Sequence, residues 1–170
     1  MTTGTRTLIM NSRQVNQRLN RLAWQVYEQC SDEQEIVVAG IAPNGFKLAG
    51  KIAEILGSIS PIRVQLVELL ISKESPLESP AVFKGDESAL AGKPVVVVDD
   101  VSNSGQTLMY GVRYFLSFPV KSIHTLVLVD RDHNRFPVQT NFVGLSLATT
   151  MMEHIAVEMD PNGETAVYLD

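Results

Sequence analysis

The sequence predicts an α/β domain: a mainly parallel sheet flanked by helices, with a small hood toward the C-terminus. Three observations carry that expectation. Short β-branched runs alternate with stretches of helical apolar spacing, which implies right-handed crossovers between parallel strands. The four valines at 95–98 suit a strand buried on both faces. A chain of 170 residues, 45% of them apolar, is long enough for one domain with a sizeable core and too short for two ordinary ones.

The elements follow in order. Val15, Leu19, Leu22 and Val26 recur on one helical face and predict a helix over 12–30, with Asn11 and Gln14 as a weak capping pair. This helix carries Arg13, Arg18 and Arg21 and no acid before Glu28. EIVVAGI at 35–41 predicts a strand, broken by Pro43, Asn44 and Gly45. Leu48, Ile52 and Ile55 predict a helix over 46–56, and IRVQLVELLI predicts a second strand ending near Ile71. The polar, proline-bearing stretch 72–84 predicts a long mobile loop. The valine strand at 95–98 should end at Asp99 and Asp100, and a helix should follow over 105–116. KSIHTLVLV at 121–129 is a third buried strand, with further strands expected at 141–147, 154–159 and 166–169. The hood is expected to come largely from 131–170 of this single domain.

Composition removes several function classes. Fourteen basic against nineteen acidic residues give a net charge of −5, unlike a dedicated nucleic-acid binder. A single cysteine, Cys30, excludes an internal disulfide framework and a multi-cysteine zinc site. Its setting at a helix end suits an inert buried thiol. No apolar run approaches the roughly 20 residues of a membrane helix, and MTTGTRTLIMNSRQ lacks the apolar core of a secretory signal. A cytoplasmic setting is expected. His124 reads as packing and His154 has no partner at ligand spacing, while His133 falls near the expected active face.

In parallel sheets a ligand sits beyond the carboxyl ends of the strands, so the loops at 42–45 and 99–107 are the candidate site. VVVVDDVSNSGQTL at 95–108 is the most informative stretch. Its strand delivers two carboxylates to the sheet edge. The backbone N–H groups of Ser104, Gly105, Gln106 and Thr107, at the start of a helix, suit a phosphate. Two acids would repel that phosphate unless they bind something else on the ligand, such as sugar hydroxyls or hydrated Mg²⁺. A sugar diol and a phosphate on one molecule describe a ribose phosphate. The plain alternative is a capped helix after a strand, with two ordinary turn acids.

This stretch resembles the phosphoribosyl-pyrophosphate signature of type I phosphoribosyltransferases. LVLVDRDHNRFPV (126–138), NFVGLSLATT (141–150) and AGIAPNGFKLAGKIAEIL (39–56) are similar to the pyrimidine-operon attenuator and uracil phosphoribosyltransferase family. The resemblance implies a type I phosphoribosyltransferase fold. It implies transfer of a phosphoribosyl group from phosphoribosyl pyrophosphate to a nucleobase, with uracil foremost and Mg²⁺ on the pyrophosphate. Asp99 and Asp100 would meet the ribose hydroxyls and the metal through water or substrate. Ser102, Asn103, Ser104, Gly105, Gln106 and Thr107 would form the 5′-phosphate loop, and Ala42, Pro43, Asn44 and Gly45 the pyrophosphate loop. Arg131, Phe142, Val143 and Thr149 would line the base pocket. A homodimer or higher homo-oligomer is expected.

Several positions depart from the family pattern. Ser104 replaces a threonine, and Gln106 stands where a basic residue is common. Ala42, Pro43 and Asn44 stand where lysine or arginine is usual, and Lys73 is the only cation near the expected catalytic loop before Lys84. These departures support a second reading, a nucleotide-binding regulator with weak catalysis. RNA contact through Arg13, Arg18 and Arg21 belongs to that reading, but the acidic total disfavours it. A non-nucleotide scaffold is a third.

Overall fold

The computed structural model describes residues 5–170. In chain order the elements are β1 (Thr7–Met10), α1 (Ser12–Gln29), β2 (Glu35–Ile41), α2 (Asn44–Ile59), β3 (Arg63–Leu70), β4 (Val82–Lys84), β5 (Pro94–Ser102), α3 (Gln106–Phe115), β6 (Ser122–Asp130), β7 (Phe142–Ser146), β8 (Ile155–Met159) and β9 (Thr165–Leu169). Six strands form the central sheet in the order β4-β3-β2-β5-β6-β7. Five of them are parallel, and β4 runs antiparallel beside β3. A separate antiparallel sheet, β1-β9-β8, covers one end.

Strand alternation divides the core into two layers. Ile36 and Val38 of β2, with Val96 and Val98 of β5, face α1 and α2. Val37, Ala39 and Ile41, with Val95 and Val97, face Leu108 and Phe115 of α3. The valine run is apolar throughout because both faces of β5 are covered. α1 starts from a capping box: Asn11 Oδ1 accepts from the Gln14 N–H at 2.9 Å, and Gln14 Oε1 accepts from the Asn11 N–H at 2.9 Å.

Several boundaries differ from the sequence expectation. β5 does not end at Asp99 but runs through both acids to Ser102, because β6 continues alongside and pairs Asp99 with Val127 and Ser102 with Asp130. α2 starts at Asn44, so Asn44 and Gly45 belong to its first turn. β4 lies inside the expected loop, where Phe83 stacks on Tyr114 with ring centroids 5.6 Å apart. β1 joins the small sheet from the N-terminal side, whereas β7 belongs to the central sheet.

Two of the three basic residues on α1 are engaged. Arg18 Nη1 donates to the Gly144 carbonyl at 3.1 Å, and Arg21 Nη2 donates to the Val143 and Gly144 carbonyls at 2.7 and 2.8 Å. They cap edge strand β7, so Arg13 alone of the three stays exposed away from such contacts. The small sheet is tied to α2 by Lys51, whose Nζ donates to the Gly163 carbonyl and, at 2.8 Å, to Thr165 Oγ1. Among the described residues, no helix is long and apolar enough to cross a membrane.

Candidate active site

The strand order reverses between β2 and β5. β3 follows β2 to one side, and the chain then crosses to place β5 on the other. Such a switch point opens a crevice at the carboxyl ends of the strands. A cavity of about 480 Å³ lies there, between the ends of β5 and α3, the start of α2, Arg131 and β8. Asn44 of the 42–45 loop meets residues 99–107 in it, while Ala42, Pro43 and Gly45 do not line it. Asn44 Nδ2 donates to Asp100 Oδ2 at 3.0 Å and to the Val157 carbonyl at 3.1 Å, joining α2, β5 and the small sheet. The close approach needs Gly45, because a Cβ there would lie 2.6 Å from the Val98 carbonyl oxygen. Ala42 donates its N–H to the Leu69 carbonyl, and Pro43 precedes the first turn of α2 without a side-chain cap.

The two acids occupy different environments. Asp99 is 1% exposed, and its Oδ1 accepts from the Asp100 N–H at 2.9 Å. Asp100 Oδ1 accepts from the Val101 N–H at 2.9 Å. Burial, reinforced by the Asp100 charge, pushes the Asp99 carboxyl up to about 8, while Lys73 opposes the rise. Lys73 Nζ stands 3.6 Å from Asp99 Oδ1 and 3.9 Å from Asp100 Oδ1.

α3 opens toward the same cavity. Gly105 caps it in the left-handed region at φ 83° with no side-chain hydrogen bond. The first backbone bond closing onto the cap runs from the Met109 N–H to the Gly105 carbonyl. The Gln106 N–H reaches only Ser104 Oγ, at 3.3 Å, and those of Thr107 and Leu108 precede the first intrahelical acceptor. These N–H groups and the helix dipole form an anion cradle. The Ser104 carbonyl accepts from the N–H groups of Arg135 and Phe136, fixing the loop from behind. Ser102 Oγ, buried at the cavity wall, has no partner, and Asn103 lines the same space.

Arg131 and Thr149 are together, but mainly as a structural pair. The buried Arg131 guanidinium donates through Nε to Thr149 Oγ1 at 2.9 Å, and through Nη2 to the Thr150 and Glu153 carbonyls at 3.2 and 2.6 Å. His133 Nε2 donates to the Thr149 carbonyl at 2.7 Å. Phe142 and Val143 do not reach the cavity. They pair with Leu126 and Val127 at the amino end of β7, four and three residues before the carboxyl end of β6. Phe142 is buried in the α1–α2 layer, its ring 6.0 Å from His124, and Val143 packs on the α3 side. Their expected place against a base is therefore corrected.

The cavity wall also includes His154, Ile155, Ala156 and Val157, and Lys73. Of these only Lys73 is signalled by the sequence, as an isolated cation after β3. Oxygen donors of the Asp99–Asp100 kind suit Mg²⁺, which binds through one or two carboxylates together with substrate phosphates and water. Among the described residues no cluster of three acids, histidines or cysteines could hold a metal alone. The donor set therefore fits Mg²⁺ only as an ion shared with a phosphorylated ligand.

A model of the phosphoribosyl transferase domain matches residues 7–162. The protein named Bifunctional protein PyrR from Synechocystis sp. is 32% identical over 169 residues, covering 95% of this chain and 94% of its own. Its namesake from Bacillus subtilis is 26% identical over 175 residues, covering 96% and 97%. Among solved structures, the hypoxanthine phosphoribosyltransferase of Trypanosoma cruzi superposes with a TM-score of 0.77 at 14% identity, covering 96% of this chain and 95% of that one. A hypoxanthine-guanine phosphoribosyltransferase from Bacillus anthracis gives 0.68 at 21% identity, covering 83% and 82%. At those identities the structures speak for the fold. With an acid pair and an open helix N-terminus at the sheet's switch point, and a family match across most of its length, this chain belongs to the phosphoribosyl transferase domain family.

Proposed function

We propose that this chain transfers the ribose 5-phosphate group of phosphoribosyl pyrophosphate to a nucleobase, with uracil as the leading acceptor, releasing pyrophosphate and a nucleoside monophosphate. One observation carries the reading: a single cavity holds both the Asp99–Asp100 pair and the uncapped amino end of α3. The cradle at 104–107 would take the 5′-phosphate. The acids would hydrogen-bond the ribose hydroxyls, and the Asp100 charge would favour the oxocarbenium character that develops at C1′. Little covalent work remains for the protein, so orientation and fixed charge supply the rate. Asn44 would hold Asp100 in place between α2 and the small sheet. Arg131 would shape the base end by anchoring 149–153. Mg²⁺, held by Asp99 and Asp100 through water or substrate oxygens, would supply positive charge to the departing pyrophosphate. The resemblance of 126–138 and 141–150 to uracil phosphoribosyltransferases makes uracil the first base to test.

The uncharged 42–45 loop favours a second reading, a nucleotide-binding regulator with weak turnover. Pyrophosphate release from phosphoribosyl pyrophosphate and Mg²⁺, measured across uracil, hypoxanthine, guanine and xanthine, separates the two. The expected outcome is release with one base, reduced at least about a hundredfold in Asp100→Asn, as for loss of a group acting mainly in the transition state. Mononucleotide binding without release from any base would favour the regulator.

A further inference from the structure

β6 and β7 are parallel neighbours, and such pairs are usually joined through a helix. Here the connection, 131–141, carries neither helix nor strand. It is a strap tied down along its length. At its neck Thr140 Oγ1 donates to Asp130 Oδ2 at 2.7 Å, and Asp130 Oδ1 accepts from the Asp132 N–H at 2.9 Å. The Arg131 N–H donates to the Ser102 carbonyl at 3.0 Å, and the Ser104 carbonyl accepts from the Arg135 and Phe136 N–H groups at 2.8 and 3.1 Å. Val138 packs on the α3 side of the sheet. The strap lies so close that a Cβ on Gly105 would stand 2.7 Å from Val138 Cγ1 and 3.3 Å from the Phe136 carbonyl oxygen.

This contact bears on the anion cradle. Gly105 caps α3 with no side-chain hydrogen bond, and glycine has the widest choice of backbone conformations. Left alone it would let the first turn of α3 shift. The Ser104–Gly105 peptide is trans, so its carbonyl and N–H point opposite ways. With the carbonyl bonded to the strap, the N–H is turned away from it. Val138 then blocks Gly105 from backing out.

We propose that Val138 is a positioning residue for the 5′-phosphate: its γ carbons hold Gly105, and through it the open N–H groups at the start of α3, in the geometry that receives the anion. The assignment rests on the ribose-phosphate reading of the cavity. Val138 acts by pre-organisation, because a cradle already ordered loses less freedom on binding. The strap starts from Arg131 and His133, which bond to 149–153, so one element supports both the phosphate end and the base end of the site.

Calorimetric titrations with uridine 5′-monophosphate and uridine, and with guanosine 5′-monophosphate and guanosine, test this on wild type, Val138→Ala, Val138→Thr and Ile123→Ala. The readout is the phosphate advantage, the ratio of nucleoside Kd to nucleotide Kd. Ile123 packs against the same layer from the amino end of β6, opposite Val95, and controls for lost packing. Val138→Thr keeps the branched shape but brings a hydroxyl, so it lowers stability without opening the space behind Gly105. In Val138→Ala the advantage should fall about tenfold, the worth of one hydrogen bond, with the nucleoside Kd unchanged. Val138→Thr and Ile123→Ala should keep the wild-type advantage. An undiminished advantage in Val138→Ala, or an equal loss in either companion variant, overturns the assignment of Val138. A wild type with no phosphate advantage in either pair overturns the reading of 104–107 as a phosphate cradle.

Discussion

Asp99 shows how a site residue departs from the rules that govern its neighbours. Four valines fill β5 on both sides, and the next residue, equally buried, is a carboxyl. Its acidity is pushed up to about 8, far above the unfolded value. Between those two values the native chain binds more protons than the unfolded chain, so this group makes stability fall as pH rises from about 4 to about 8. Its contribution is least harmful at the acid end of that window. Asp99→Asn should flatten the dependence and stabilise the fold at pH 8 by on the order of a few kcal/mol. Urea midpoints of both proteins at pH 5 and pH 8 check this. A midpoint that falls between pH 5 and pH 8 as steeply in the variant as in the wild type would contradict it.

Elements with their own internal pattern are legible in the sequence. α1 shows its apolar face and its cap in adjacent residues, and Asn11→Ala should lower the thermal stability by about 1 kcal/mol while leaving nucleotide affinity unchanged. Thermal melts and titrations of that variant read the two effects separately. β1 and β4 are not legible, because four and three residues carry no period and exist through partners far along the chain. The same distinction holds within the site. The acids and the start of α3 are contiguous, so their chemistry can be read together. Lys73 and Val157 meet that stretch only through the fold. Phe142 and Val143 illustrate the opposite error: a role carried over by resemblance, while strand register places both residues at the far end of β7.

At the scale of the whole molecule, the cavity is closed by a sheet that packs Ile155, Val157 and Val167 into the α1–α2 layer and adds polar ties to it. Lys51 is one, bridging α2 to Gly163 and Thr165, and Asn44 is another. Lys51→Met should therefore loosen β8 and β9 before it affects the central sheet. Amide exchange should quicken in 155–169 with protection across β2, β5 and β6 unchanged, since local openings are independent of the global one. Uniform loss of protection would show instead that the two sheets open as one unit.

The arginines that α1 lays on β7 bear on how copies of this chain can meet. An open sheet edge is the easiest route for one chain to extend another's sheet. Here one margin is only three residues long, and the other has two guanidinium groups on its carbonyls. A second copy would have to dislodge both before its own strand could zip alongside. The central sheet thereby leaves strand-by-strand extension by a second copy without a starting point at either of its margins.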